Sequence, residues 1–113
     1  MIYETSVTIA DSGTVSTAAQ IGDTYDLRPR SVLAVRTAAN FTTADLTFQA
    51  SNDGVTYNAV KKAAGASVTL TSVAASDYRA LDPADLFSAK YVKVVSSVAQ
   101  SGGDTVYLVV GTV

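Results

Sequence analysis

The chain has no cysteine, no histidine and no tryptophan among its 113 residues. Without thiols there is no disulfide framework, Cys-ligated zinc, iron–sulfur cluster or thiolate nucleophile. Without imidazoles there is no Ser-His-Asp or Cys-His site, no His-bearing facial metal triad and no histidine acid–base chemistry. Charge is scarce as well. Charged residues make up 16% of the chain against 48% hydrophobic, the reverse of a composition that stays disordered. Eight Lys plus Arg face ten Asp plus Glu, for a net charge of -2 and a pI near 4.7. The basic residues are scattered in runs no longer than two, so no phosphate-tracking surface for nucleic acid is expected. Apolar runs fall far short of the roughly 18 residues of a membrane-spanning helix, and no membrane contact is expected. Met1–Ser6 lacks a basic stretch followed by an apolar one, which leads to the expectation of a protein kept inside a cell or built into a particle assembled there.

What remains is rich in small and β-branched residues: Ala, Val, Thr and Ser supply 60 of the 113 positions. The length suits one domain spanning 1–113, with neither linker nor tandem repeat. Thr5–Ile9 alternates with period two and stops at Asp11-Ser12-Gly13, and Thr14–Ile21 resumes. The two read as an opening hairpin or a pair of edge strands. Residues 23–30 are irregular around Pro29 and read as a connection between sheets. Ser31–Thr37 is apolar at nearly every position, as in a central strand. Leu46–Ala50 alternates, passes through Ser51-Asn52-Asp53-Gly54 and returns as Tyr57–Val60. Asp-Gly between alternating runs is a hairpin signal, expected here as a type I′ turn with two positive φ angles. Ser67–Thr71, Tyr91–Ser96 and Thr105–Gly111 read as further strands. Asp82-Pro83-Ala84-Asp85 carries a capping residue, a proline at the first helical position and an acidic residue near the dipole's positive end. A single helical turn is expected there. About eight short strands with one helical turn predict an all-β fold, an antiparallel β-sandwich of jelly-roll type.

Carboxylates are the remaining acid–base material, and three pairs stand out: Asp23 with Asp26, Asp82 with Asp85, and Asp45 with Asp53. Glycoside hydrolysis needs two carboxylates across a groove, about 5 to 9.5 Å apart. Capping and turn roles already account for Asp82, Asp85 and Asp53, and Asp is ordinary in the loop of Asp23 and Asp26, so no catalytic residue is assigned. Loop Asp oxygens and backbone carbonyls are calcium-type ligands, but no EF-hand or dense D-x-D spacing is present. Gly102-Gly103 lacks the Lys-Ser/Thr of a phosphate loop and reads as a hairpin turn. Neither metal nor cofactor is expected. Of the six tyrosines, Tyr3, Tyr25, Tyr57, Tyr78, Tyr91 and Tyr107, one or two are expected at a partner or sugar surface.

The run Leu46-Thr47-Phe48-Gln49-Ala50-Ser51-Asn52-Asp53-Gly54-Val55-Thr56-Tyr57 resembles the F-x-x-S-x-D-G-x-x-aromatic hairpin of discoidin-like, galactose-binding-type sandwiches. Ala89-Lys90-Tyr91-Val92-Lys93-Val94 is similar to their A-R-Y-V-R-I/L strand. A wider resemblance, to small virion proteins of tailed bacteriophages, lies in three stretches. They are Val7–Ser16 with its Ile-Ala-x-Ser-Gly-Thr-Val-Ser, the Ala44–Gly54 hairpin, and Tyr78–Asp85 followed by Lys90–Lys93.

This second resemblance implies assembly rather than catalysis: a non-enzymatic capsid decoration or cement protein, located in a virion assembled in the host cytoplasm. Its implied partners are the major capsid protein or other virion structural subunits, and its implied state a homo-oligomer such as a trimer on a capsid three-fold. A neck or tail component and a small carbohydrate-binding module are the alternatives, with a minimal glycosidase-like enzyme a further one. Attachment is expected through a sandwich face or edge strands and through loops, the edges taken as the strands around Val7 and Tyr107. Candidate contacts are Tyr25, Arg28, Arg30, Asn52, Tyr57 and Tyr107, because exposed aromatics and Arg are enriched at interfaces.

Overall fold

A computed structural model describes residues 2–22, 28–86, 89–101 and 104–112. Its strands are β1 (Ile2–Thr8), β2 (Gly13–Val15), β3 (Ala19–Gln20), β4 (Arg30–Thr37), β5 (Ala44–Ser51), β6 (Asn58–Ala59), β7 (Leu70–Val73), β8 (Tyr78–Ala80), β9 (Tyr91–Gln100) and β10 (Thr105–Thr112). Every pairing is antiparallel. One sheet has the order β1-β10-β4-β8; the other has β2-β9-β5-β6, with β3 also on β9 and β7 also on β5. Because β2 and β3 share one flank of β9, and β6 and β7 one flank of β5, the ten strands fill eight lanes in two four-lane sheets. The chain changes sheet at each step except between β2 and β3 and within the β5 to β7 region. That is the jelly-roll arrangement of an all-β sandwich, and it recovers the expected strand number.

Period-two burial builds the core. Val92 and Val94 of β9, Val106, Leu108 and Val110 of β10, and Leu46 and Phe48 of β5 are buried, while their neighbours in sequence face outward. Each such side chain contributes roughly 1.5–3 kcal/mol on burial. The apolar run of β4 has a further cause. Val109 pairs with Ala34 and Val110 with Val32, so Leu33 is an extra residue, a bulge. The bulge resets the parity, so that Val32 and Val35, three apart, both enter the core.

Several expectations change on contact with the structure. The opening segments form no hairpin: β1 pairs with β10, and β2 and β3 pair with β9. They are edge strands of opposite sheets, tied by the Ile9–Ser16 bridge. The strand of Tyr107 is interior, flanked by β1 and β4, so β10 offers no edge. The 52–57 loop is too long for a type I′ turn, and positive φ falls on Gly54 (79°) but not on Asp53. The expected helical turn is a hydrogen-bonded turn without helix among the described residues. Asp85 N–H donates to Asp82 O (3.0 Å) and Ala84 N–H to Asp82 Oδ1 (3.0 Å). Leu86 is buried directly after this turn and β9 begins at Tyr91, which leaves little chain for a helix. The Gly102-Gly103 turn lies outside the described residues.

Candidate functional site

Two surfaces gather the polar and aromatic side chains. The first is the outer face of the β1-β10-β4-β8 sheet. Register aligns Ser6, Tyr107, Arg36 and Tyr78 in one row across all four strands, and Glu4, Val109, Ala34 and Ala80 in the next. The Arg36 guanidinium lies over the Tyr107 ring, 3.9 Å from its centroid, and reaches Glu4 with both arms. Its Nε donates to Glu4 Oε2 (3.2 Å) and its Nη2 to Oε1 (3.0 Å). Two parallel bonds fix the plane of the guanidinium. They hold the Glu4 carboxyl below the usual carboxylate range and push Arg36 above its ordinary value. At the end of the row a groove of about 380 Å³ opens between Tyr78 and Tyr107, with Arg36, Ser76 and Asp77 on its walls. Tyr78 (61% exposed) and Ile2 (67% exposed) complete this face.

The second surface is a cleft of about 580 Å³ at one end of the sandwich, between the 51–58 loop and the 82–89 segment. Its floor is Val60, Leu86 and Ala89; its rim is Asn52, Asp53 and Asp85. Local hydrogen bonds shape the loop. Ser51 Oγ donates to Asp53 Oδ1 (2.8 Å) and accepts from Gly54 N–H (2.9 Å), while Asp53 Oδ1 also accepts from Val55 and Thr56 N–H (2.8 Å each). These backbone donors, Val55 and Thr56 first, pull the Asp53 pKa down to about 2. Gly54 packs on Tyr91: a Cβ there would meet the ring at 3.3 Å. Asp85 is held by Lys62 Nζ at 2.9 Å. Asp53 is therefore a fixed, ionised acceptor at neutral pH and an unsuitable general acid.

The six sequence-chosen contacts do not form one patch. Tyr107 is at the centre of the sheet face, and Asn52 is on the cleft rim. Tyr57 lies under Lys93 Nζ (4.2 Å from the ring centroid), a β9 residue of the other sheet. Arg28 is exposed just before β4. Arg30 is half-buried, donates to Ile21 O (3.3 Å) and sits 5.8 Å from the Tyr3 ring centroid. Tyr25 lies outside the described residues, as do Asp23 and Asp26.

The other carboxylate pairs separate. Asp45 and Asp53 lie beyond opposite ends of most of β5, about 20 Å of extended strand apart. Asp82 caps its turn while Asp85 binds Lys62. The cleft instead brings Asp53 and Asp85 to a common rim. Sequence reading also missed Glu4, Arg36 and Tyr78 as parts of the Tyr107 face. Alternation in β1 and β4 placed each on a strand, but the register across four strands is a tertiary fact.

The fold and these surfaces define a β-sandwich with a preorganised aromatic–arginine face and a polar end cleft. Comparison of the chain with protein-family models, with curated proteins and with solved structures gives no match.

Proposed function

We propose that this protein is a non-enzymatic virion structural protein, a capsid decoration or cement protein. It attaches to the major capsid protein or another structural subunit of a phage particle. The observation that carries this reading is the Glu4–Arg36–Tyr107 stack on an open sheet face, flanked by exposed Tyr78 and Ile2. Arg and Tyr held rigid before contact lose little side-chain freedom on binding, and these residue types dominate interface energetics. Ala80 beside them is small and exposed, so a flat partner surface can approach there. Tyr107 acts here through its side chain, since its backbone is already paired on both sides. A stable attachment would cover on the order of 1,000 Å² or more, part of it between copies of the chain around a symmetry axis. A neck or tail position in the same virion uses the same face.

The test is light scattering combined with co-sedimentation of the purified chain with phage particles and empty capsids. Stoichiometric binding by a trimer, lost in Tyr107→Ala and Arg36→Ala, is the expected result. A free monomer that ignores particles overturns it. The end cleft favours one second reading, a small carbohydrate-binding module, because Asn52, Asp53 and Asn58 offer amide and carboxylate partners for hydroxyl groups. A glycan array with and without calcium, repeated with Asn52→Ala, decides that alternative.

A further inference from the structure

The edges of the two sheets are not alike. β8 is three residues long. The lane beside β9 is split into β2 and β3, of three and two residues, with a register shift between Gly13 and Val15. The lane beside β5 is split into β6 and β7, of two and four residues, with a register shift between Ala44 and Leu46. Short pieces and irregular register protect a sheet edge against another strand. β1 has neither: its seven residues pair with β10 in unbroken register, and it contains no Pro or Lys.

The outer lane of β1 is also open. Thr8 N–H donates to Thr17 Oγ1 (3.0 Å) and Thr17 N–H donates to Thr8 O (2.9 Å), so the main-chain groups of Thr8 point away from β10. These directions alternate along an antiparallel ladder, and the register has no shift, so those of Ile2, Glu4 and Ser6 point the same way. Among the described residues nothing bonds them on that side. Thr17 closes the lane at Thr8, and the stretch left beside residues 2–7 is about 20 Å long.

Such a row of alternating donors and acceptors is satisfied in full by another extended main chain. A second copy of β1 fits it poorly. Two-fold pairing centred on Glu4 sets that residue opposite the second copy's Glu4, and like charges directly opposed are destabilising. Centred on Thr5, the pairing drives the second copy's Ile2 into the lane that Thr17 holds. Centred on Tyr3, it leaves Ser6 unpaired. We infer that β1 takes an extended segment of a different polypeptide as an antiparallel fifth strand of its sheet. The residues of that segment opposite half-buried Tyr3 and Thr5 and buried Val7 face inward and are apolar. The residue opposite Glu4 is basic or neutral. The inference does not depend on the attachment proposal, which uses side chains of the outer face.

The experiment is amide hydrogen exchange of the full chain, followed by NMR, with the hexapeptide acetyl-Val-Thr-Val-Lys-Val-Thr-amide as probe. Bound antiparallel, it sets Val opposite Val7, Thr5 and Tyr3, and Lys opposite Glu4. Exchange at Ile2, Glu4 and Ser6 is expected to slow about threefold at about 1 mM peptide, while Tyr3, Thr5 and Val7, already bonded to β10, change little. Ser6→Pro removes a donor on the open side and leaves the β10 ladder intact, and it should abolish the effect. The same peptide N-methylated at its Lys and both Thr should have none. No slowing with the hexapeptide overturns the inference, as does equal slowing with the N-methylated peptide or in Ser6→Pro. Slowing that grows with chain concentration in the absence of peptide overturns the choice of occupant in favour of a second copy. Should Ser6→Pro not fold, the N-methylated peptide decides alone.

Discussion

The sheet face around Tyr107 and the loop around Asp53 are both ordered polar surfaces, yet they are ordered by opposite means. In the loop, every bond that holds Asp53 comes from residues within three positions of it. On the face, Glu4 and Arg36 are 32 residues apart and meet because β10 lies between their strands. Local order of the first kind survives changes elsewhere in the fold. Order of the second kind depends on the register of four strands, and a one-residue slip moves every side chain to the other side.

Inserting one alanine between Val35 and Arg36 should break the comparison most severely. The extra residue reverses the parity of Arg36 relative to Val32 and Val35, and a guanidinium is driven toward the core. The expected outcome is loss of cooperative thermal unfolding and of near-ultraviolet dichroism. Next comes Ser51→Ala, which removes a buried hydroxyl serving Asp53 and Gly54. Urea unfolding should show a loss of roughly 1–2 kcal/mol, with the sheet face unaffected.

A smaller and reversible effect comes from pH. The Asp53 pKa is depressed to about 2 in the folded chain. Its stabilising bonds are therefore fully present above the unfolded value near 4 and lost as pH falls through about 2. Amide exchange at Val55 and Thr56 should accelerate over that window, and Asp53→Asn should abolish the pH dependence. Smallest is Glu4→Gln. It frees one partner of an exposed ion pair, and Tm should fall by no more than about 2 °C. Particle binding by that variant should weaken, because Arg36 is no longer held flat on Tyr107. If Glu4→Gln destabilises the chain more than Ser51→Ala, the division between local and non-local order is wrong.

How legible each region was in the sequence follows the same division. Ser51-Asn52-Asp53-Gly54 announced a turn because its bonds are local, and the structure puts it in that hairpin. The type I′ geometry failed because Ser51 and Asp53 accept from successive N–H groups and stabilise a longer loop. Alternation identified β5, β9 and β10 with their buried residues, since period-two burial is written along one strand. It misjudged β10 as an edge, because neighbours in a jelly roll are distant in sequence. Nothing in the sequence around Asp104 marks it as buried. Its burial depends on how the loops of two sheets close over it.

By itself, the amino-acid sequence determined that this is an all-β chain of short strands, with a tight Ser-Asx-Asp-Gly loop and no thiol or imidazole chemistry. Those properties reside in single residues, or in spacings of two to four along the backbone. Tertiary structure alone decided which strands are edges, that Glu4, Arg36, Tyr107 and Tyr78 share a face, and that Asp53 and Asp85 border one cleft. Each of these depends on the pairing of distant segments, and that pairing is selected by simultaneous burial of both sheets' inner faces against each other.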